Sequence, residues 1–477
     1  MTNEVFARAP RSGAVLTEWQ PENPQFWERT GKRIATRNLW ISIPCLLLAF
    51  SVWVVWSAVT VRLNSVGFHF TVDQLFWLAA LPGLSGPVLR AFYSFMVPVF
   101  GGRRWTALST LSLAVPAVWM GFAVQDPATP YSTFLIIALL CGLGAGNFAS
   151  SMANISFFYP RSQQGTALGL NAGLGNLGVS ASQWVVPQVI TFAAFGAFGG
   201  PGQLRANGSQ LWLQNGGFIW VPFIVLFTVI AWVGMNDIAS AKASFRDQAV
   251  IFRRKHNWIM CWLYVATFGS FIGYSAGFPL LISNLFPAVD PLKYAFLGPL
   301  VGALARPVGG VLADKLGGAR VTIWNFVLMI GAVLGVLYFM PHGAEVTLLP
   351  HAAGAGSFPA FLILFMALFI TTGIGNGSTF RMIPIIFRTE WERRTAGQGR
   401  AAQDDAMREA RKESAAVLGF SSAVGAIGAF FIPKAYGTSL TMTGAPDAAL
   451  YVFIAYYVTC IMATWWWYYR SHAEVSC

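Results

Sequence analysis

Runs of about twenty apolar residues, closed by charges or by Gly, Pro, Asn and Ser, recur from Leu39 to near the end of the chain. Each is long enough to cross a hydrocarbon layer as a helix, which satisfies every backbone polar group within its own segment. The pattern predicts twelve spans, at 38–62, 72–99, 104–123, 131–159, 165–195, 216–236, 257–282, 292–313, 320–340, 357–388, 414–435 and 448–469. Before the first, Pro21 to Arg37 reads as a short amphipathic helix carrying Trp27 at the membrane surface. A polar connector with the run Arg253-Arg254-Lys255 divides the spans six and six. The expected organisation is a segment 1–37, a six-helix bundle 38–236, a connector 237–256, a second bundle 257–469 and a tail 470–477.

Composition agrees with an all-α integral membrane protein. The chain has 477 residues, of which 55% are hydrophobic and 10% charged, and soluble domains average about 25% charged. The net charge of +12 is scattered over short loops without a basic face or binding motif, which excludes nucleic acid as a partner. Most Lys and Arg fall in the termini and even-numbered loops, among them Arg103-Arg104, Arg161, Lys315, Arg320 and the cluster from Arg388 to Lys412. The odd-numbered loops hold Arg205, with Arg62, Lys293 and Lys434 at their edges. This asymmetry predicts that both termini are cytoplasmic. There is no cleavable signal peptide, because the first apolar run is long enough to span. Cys45, Cys141, Cys261, Cys460 and Cys477 form no CxxC pair and read as small buried hydrophobes, so neither a metal nor a cofactor is expected.

The two halves repeat. Gly142-Leu143-Gly144-Ala145-Gly146 in the fourth span is matched by Gly373-Ile374-Gly375-Asn376-Gly377 in the tenth. The fifth span carries Gly169, Gly173, Gly175 and Gly178, and the eleventh carries Gly419, Gly425 and Gly428, three of them in register. Such parallel repeats of six spans are how major facilitator transporters are built, with substrate bound at the interface of the halves. Small residues every three or four positions let helices pack closely, and these glycines are read as packing positions.

Arg90 and Arg306 lie deep in the second span of each half, 216 residues apart, with no acidic residue in the membrane interior. A charge at that depth costs roughly 2.5–3.5 kcal/mol on insertion scales, so it marks a functional site unless it bonds helix carbonyls or snorkels to an edge. Without a resident carboxylate the negative charge arrives with the substrate, and two guanidinium forks suit a small monovalent oxyanion. Asn176 is polar at depth and either donates to substrate or bonds a neighbouring helix. Phe148, Tyr264 and Phe268 adjoin polar or glycine-rich interior stretches; Tyr264 and Phe268 share a helix face. Arg381, near the cytoplasmic end of the tenth span, is a gating or entrance candidate. His69, His256, His342, His351 and His472 map to loops or the tail, which leaves no proton relay in the core and disfavours direct proton coupling.

The stretch Gly310-Val311-Leu312-Ala313-Asp314-Lys315-Leu316-Gly317-Gly318-Ala319-Arg320 resembles the major facilitator loop motif, with Asp314, Lys315 and Arg320 as a cytoplasmic latch. Its first-half counterpart, Phe100-Gly101-Gly102-Arg103-Arg104, lacks the acid. With the paired glycine rows, Arg37 to Ser42, Asn147 to Phe158, Thr267 to Gly273 and Phe430 to Lys434, the chain resembles the nitrate/nitrite porter family, in particular its bacterial NarK members. The resemblance implies nitrate and nitrite as substrates held by Arg90 and Arg306, aromatic walls at Phe148, Tyr264 and Phe268, and polar help from Asn176. It also implies a bacterial inner-membrane location. Two departures stand out: Ala172 in place of glycine, and Arg381 in place of a neutral polar residue. The preferred reading is a monomeric nitrate/nitrite antiporter. Proton-coupled nitrate symport is the alternative, and an anion receptor a remote one. An enzyme would need a nucleophile, metal ligands or an acid–base pair that the core does not supply.

Overall fold

A computed structural model describes residues 13, 15–205, 207–239, 249–341 and 356–477. Twelve helical rods account for nearly all of them. Eleven are long and apolar enough to cross a membrane: Pro24–Val66, Val72–Tyr93, Gly102–Ala123, Tyr131–Phe158, Asn215–Gly234, Lys255–Leu285, Pro291–Leu316, Gly318–Phe339, Phe358–Arg394, Arg400–Thr443 and Asp447–Tyr469. The remaining rod, Arg161–Val189, is the fifth span; its Gly, Asn, Gln and Ser residues keep it less apolar than the others. Spans are numbered below in this order along the chain.

The stretch expected as a separate surface helix is instead continuous with the first span. Trp27 is 4% exposed and packs against Tyr159, with ring centroids 5.6 Å apart. The reason is that residues 15–22 run back over the same face. Val15–Leu16 pairs in parallel with Asp237–Ile238, and Trp19 Nε1 donates to the Phe157 carbonyl at 3.0 Å. Trp27 therefore meets protein rather than lipid headgroups. His256, expected in a loop, lies in the first turn of the seventh span, buried against the Tyr468 hydroxyl at 3.0 Å. His342 and His351 lie outside the described residues.

The two six-helix halves are bonded to each other at the face opposite the Arg/Lys-rich loops. Arg62 pairs with Asp290 at 2.7 Å and Lys434 with Asp73 at 2.5 Å. Gln183 Nε2 donates to the Ser275 carbonyl at 2.6 Å, and the Ser180 hydroxyl to the Phe296 carbonyl at 2.9 Å. Among the described residues no ion pair joins the halves at the basic face; those present there stay within one half.

The glycine rows divide along this axis. Gly175 and Gly178 pack on Leu46, Leu47 and Phe50 of the first span, while Gly425 and Gly428 pack on Tyr264 and Gly269 of the seventh. Gly169, Gly173 and Gly419, expected as packing positions too, are not: a Cβ placed there meets nothing within 4 Å. They lie on the basic-face side of their spans, where no ion pair joins the halves among the described residues.

Candidate functional site

The second span approaches the centre through Pro82-Gly83-Leu84-Ser85-Gly86-Pro87. Absence of a Cβ at Gly83 admits the backbone of Ala429 and Phe430, and at Gly86 admits Ala145 and Trp53. The next turn places Arg90 fully buried. Its Nε donates to the Ala145 carbonyl at 2.8 Å, and its Nη1 to the carbonyl and hydroxyl of Ser422 at 2.8 and 3.0 Å. Three rings surround the guanidinium, Phe148 at 4.7 Å, Trp53 at 5.2 Å and Phe268 at 5.2 Å, as cation–π geometry allows. Nη2 is buried without a partner.

Arg306 occupies the matching place in the eighth span, where Gly302 and Gly309 let the tenth span close in at Phe369 and Ile374. It is 8% exposed. Its Nη2 reaches the Tyr264 hydroxyl at 3.4 Å, the Phe380 ring lies 5.3 Å away, and Nη1 is buried without a partner. Among the described residues neither arginine pairs with a carboxylate. Leaving a buried charged donor unmet is costly, and each arginine has one such donor without a protein partner.

Between the arginines stands the seventh span, which widens into a π-helical turn at Val265–Gly269. Such turns concentrate at functional sites. Tyr264 and Phe268 bracket it with rings 5.6 Å apart and 25° from parallel, and Phe268 faces Phe148 at 6.5 Å. Contacts thus run without a break from Arg90 through Phe148, Phe268 and Tyr264 to Arg306. Asn176 is buried with an unpartnered Oδ1, yet it makes no hydrogen bond to either arginine.

Four groups at this site escaped the sequence reading: Trp53, Phe380, Ser422 and the Ala145 carbonyl. Phe380 covers Arg306 from the tenth span as Phe148 covers Arg90 from the fourth, but in the register of the glycine repeat Phe148 matches Thr379, so the repeat did not mark Phe380. Nothing local distinguishes Trp53 from the many other aromatics. Arg381, next to Phe380, does not reach the arginine pair; it forms an ion pair with Asp314, both side chains about half exposed. Lys315 and Arg320 are exposed beyond it.

Comparison with known proteins gives the family. Residues 41–403 match the Major Facilitator Superfamily. The chain is 54% identical over 458 residues to the nitrate/nitrite transporter NarU of Salmonella typhimurium, covering 96% of each. The NarU of Escherichia coli is 54% identical over 456 residues, again with 96% of each covered. A "Probable nitrate/nitrite antiporter NarK2" of Thermus thermophilus is 41% identical over 474 residues, covering 98% of this chain and 99% of that one. Among solved structures, a bacterial homologue of the human lysosomal transporter Spinster shares the fold at a TM-score of 0.55 and 15% identity, covering 90% of this chain and 94% of that one. A pseudo-twofold pair of bundles with an arginine on the second span of each, and this degree of identity from end to end, lead to one assignment: the chain belongs to the nitrate/nitrite porter family of the Major Facilitator Superfamily.

Proposed function

We propose that the protein is a secondary transporter that exchanges nitrate for nitrite across the bacterial cytoplasmic membrane by alternating access, nitrate entering and nitrite leaving. The observation that carries this reading is the pair of reserved donors, Arg90 Nη2 and Arg306 Nη1, buried without a carboxylate. The names of the relatives point to nitrate and nitrite. Both are small, planar, monovalent oxyanions, matched by guanidinium forks for their oxygens and by the Phe148 and Phe268 rings for their faces.

The basic face is the cytoplasmic one by the positive-inside rule. Ion pairs close the opposite face, and Gly169, Gly173 and Gly419 have open space beside them on the basic side, which supports access to the buried site from the cytoplasm. Substrate anions pass Arg381 and Asp314 on that side, where Lys315 and Arg320 add positive potential. Two guanidinium groups at about 8 Å and an effective dielectric of about 20 repel by about 2 kcal/mol. An anion between them removes that term, so the loaded carrier reorients and the empty one does not, which yields exchange. The whole site lies within one chain, consistent with a monomer as the transporting unit.

The test is nitrate uptake by purified protein in liposomes, with nitrite inside, with nothing inside, and with an inward proton gradient. Uptake that requires internal nitrite or nitrate and ignores the gradient is expected. Proton-driven uptake into empty vesicles would replace exchange by symport, with Tyr264, which touches Arg306, as the titratable group to examine.

A further inference from the structure

The joint between the second and third spans has the glycines and cations of its second-half counterpart but no acid, since Pro98 stands where the second half has Asp314. The backbone geometry nevertheless matches. Gly101 and Gly317 both adopt positive φ, +85° and +89°, and each is followed at once by a new span, starting at Gly102 and Gly318. The first N–H groups of such a span have no partner within the helix and must be met from outside.

In both halves the partner comes from the segment that follows that half's last span. Arg103 N–H donates to Asp237 Oδ1 at 2.8 Å, and Ala319 N–H to the Cys477 carbonyl at 3.0 Å. Arg103 and Ala319 have the same sequence separation as Arg90 and Arg306. In the first half the cap is also ionic: Arg103 Nε donates to Asp237 Oδ2 at 3.2 Å, and Arg104 stands 4.0 Å from the same oxygen. The carboxylate is 8% exposed and lies directly against Gly101, where a Cβ would collide with it. Asp237 is in turn fixed by its pairing with Val15–Leu16 and by flanking bonds, Gly13 N–H to the Met235 carbonyl at 3.0 Å and Asn236 N–H to Asn38 Oδ1 at 2.9 Å.

We propose that Asp237 is the acid of the first-half joint, supplied from a distant part of the chain, and that it is a positioning residue for transport. A carboxylate at a helix N-terminus combines a cap, a charge-assisted bond and a favourable helix dipole. It anchors the first turn of the third span and packs on Gly101, and through that joint it holds the basic-face end of the second span, the one that carries Arg90. That rod is interrupted between Tyr93 and Met96, so without an anchored end it flexes there instead of moving with its bundle. Binding at rest depends on the contacts of Arg90 itself, which Asp237 does not touch. Reorientation depends on the bundle moving as one body, which is where Asp237 acts. This inference rests on the transport reading for its kinetic consequence, and on geometry alone for the anchor.

Two measurements decide it. In liposomes, Asp237→Ala is expected to lower maximal nitrate/nitrite exchange per nitrate-binding site by about tenfold, with KM for nitrate within about twofold of the parent. Asp237→Glu recovers most of the rate, and Asp237→Asn falls between because it keeps the acceptor for Arg103 N–H and loses the charge. Should Asp237→Ala fail to fold, Arg103→Gln removes the ion pair and leaves the backbone cap, and it is expected to show the same split to a smaller degree. Unchanged turnover per binding site in these variants, or a rise in KM that matches the lost rate, overturns the proposal. Separately, spin-label distances between the basic-face ends of the third and sixth spans, taken without substrate, are expected to broaden in Asp237→Ala; an unchanged distribution overturns the anchor. Wild-type protein that neither binds nor exchanges nitrate would defeat the transport reading, while the distances would still decide the anchor.

Discussion

Arg90 is bonded across the interface of the two halves: its Nη1 donates to both the carbonyl and the hydroxyl of Ser422, at 2.8 and 3.0 Å. The arginine of the first half is therefore held partly by the eleventh span, in the second. Its remaining donor, Nη2, points away from this bond and has no partner. The guanidinium thus combines a tether across the interface with the donor that the proposed function assigns to the anion.

The tether and the reserved donor respond differently to mutation. Arg90→Lys or Arg306→Lys keeps the charge but replaces a planar fork by a point charge. Nitrate exchange in liposomes is expected to fall by about ten- to a hundredfold, the range of a charged hydrogen bond of about 1.5–3 kcal/mol. Ser422→Ala removes only the hydroxyl and leaves the carbonyl, so a loss of no more than about tenfold is expected.

Tyr264→Phe keeps the ring stacked on Phe268 and removes the hydroxyl 3.4 Å from Arg306. Nitrate affinity by calorimetry is expected to weaken by about three- to tenfold, because this charged hydrogen bond is long, with folding preserved. Tyr264→Phe with unchanged affinity would remove the hydroxyl from the site.

Arg62–Asp290 and Asp73–Lys434 are partly exposed, so each is worth at most about 1 kcal/mol. Losing both, in Asp73→Asn with Asp290→Asn, is expected to shift the access equilibrium toward opening of that face by up to about thirtyfold. Reaction of single cysteines with an impermeant thiol reagent added outside would report it. Exchanging the charges in Asp73→Lys with Lys434→Asp should restore the parent behaviour.

Glycines of one row should separate into two phenotypes. Gly178→Ala and Gly428→Ala place a methyl into contacts already closed by Leu47 and Gly269, and overpacking of about 1–3 kcal/mol is expected as lowered thermal stability. Gly169→Leu and Gly419→Leu meet open space and should fold normally. They are expected to block exchange by obstructing closure of the basic face, read as intact nitrate binding with lost uptake.

Much of this molecule is legible from one dimension. Apolar runs bounded by charges mark helices because a membrane leaves the backbone no other way to satisfy itself. The repeat of glycines and of Arg90 with Arg306 marks two halves, and a charge without a counter-charge marks the site, since burial of an ion demands a partner. Trp27 shows where such reasoning ends. Its amphipathic surroundings suit a membrane surface, but residues 15–22 fold back to cover it. The same holds for Asp237, a polar residue after the sixth span until its pairing with Val15–Leu16 sets it against Gly101 and Arg103.

By itself, then, the sequence determined which segments are helices in an apolar medium, how they repeat, and which charges lie buried without a counter-charge. These follow from properties of single residues and their near neighbours. The tertiary structure alone decided that Ser422, Trp53 and Phe380 complete the arginine sites, that Arg381 answers Asp314, and that Gly178 packs while Gly169 faces open space. Those outcomes depend on how two bundles stand relative to each other, and contacts between spans hundreds of residues apart leave no local trace in the chain.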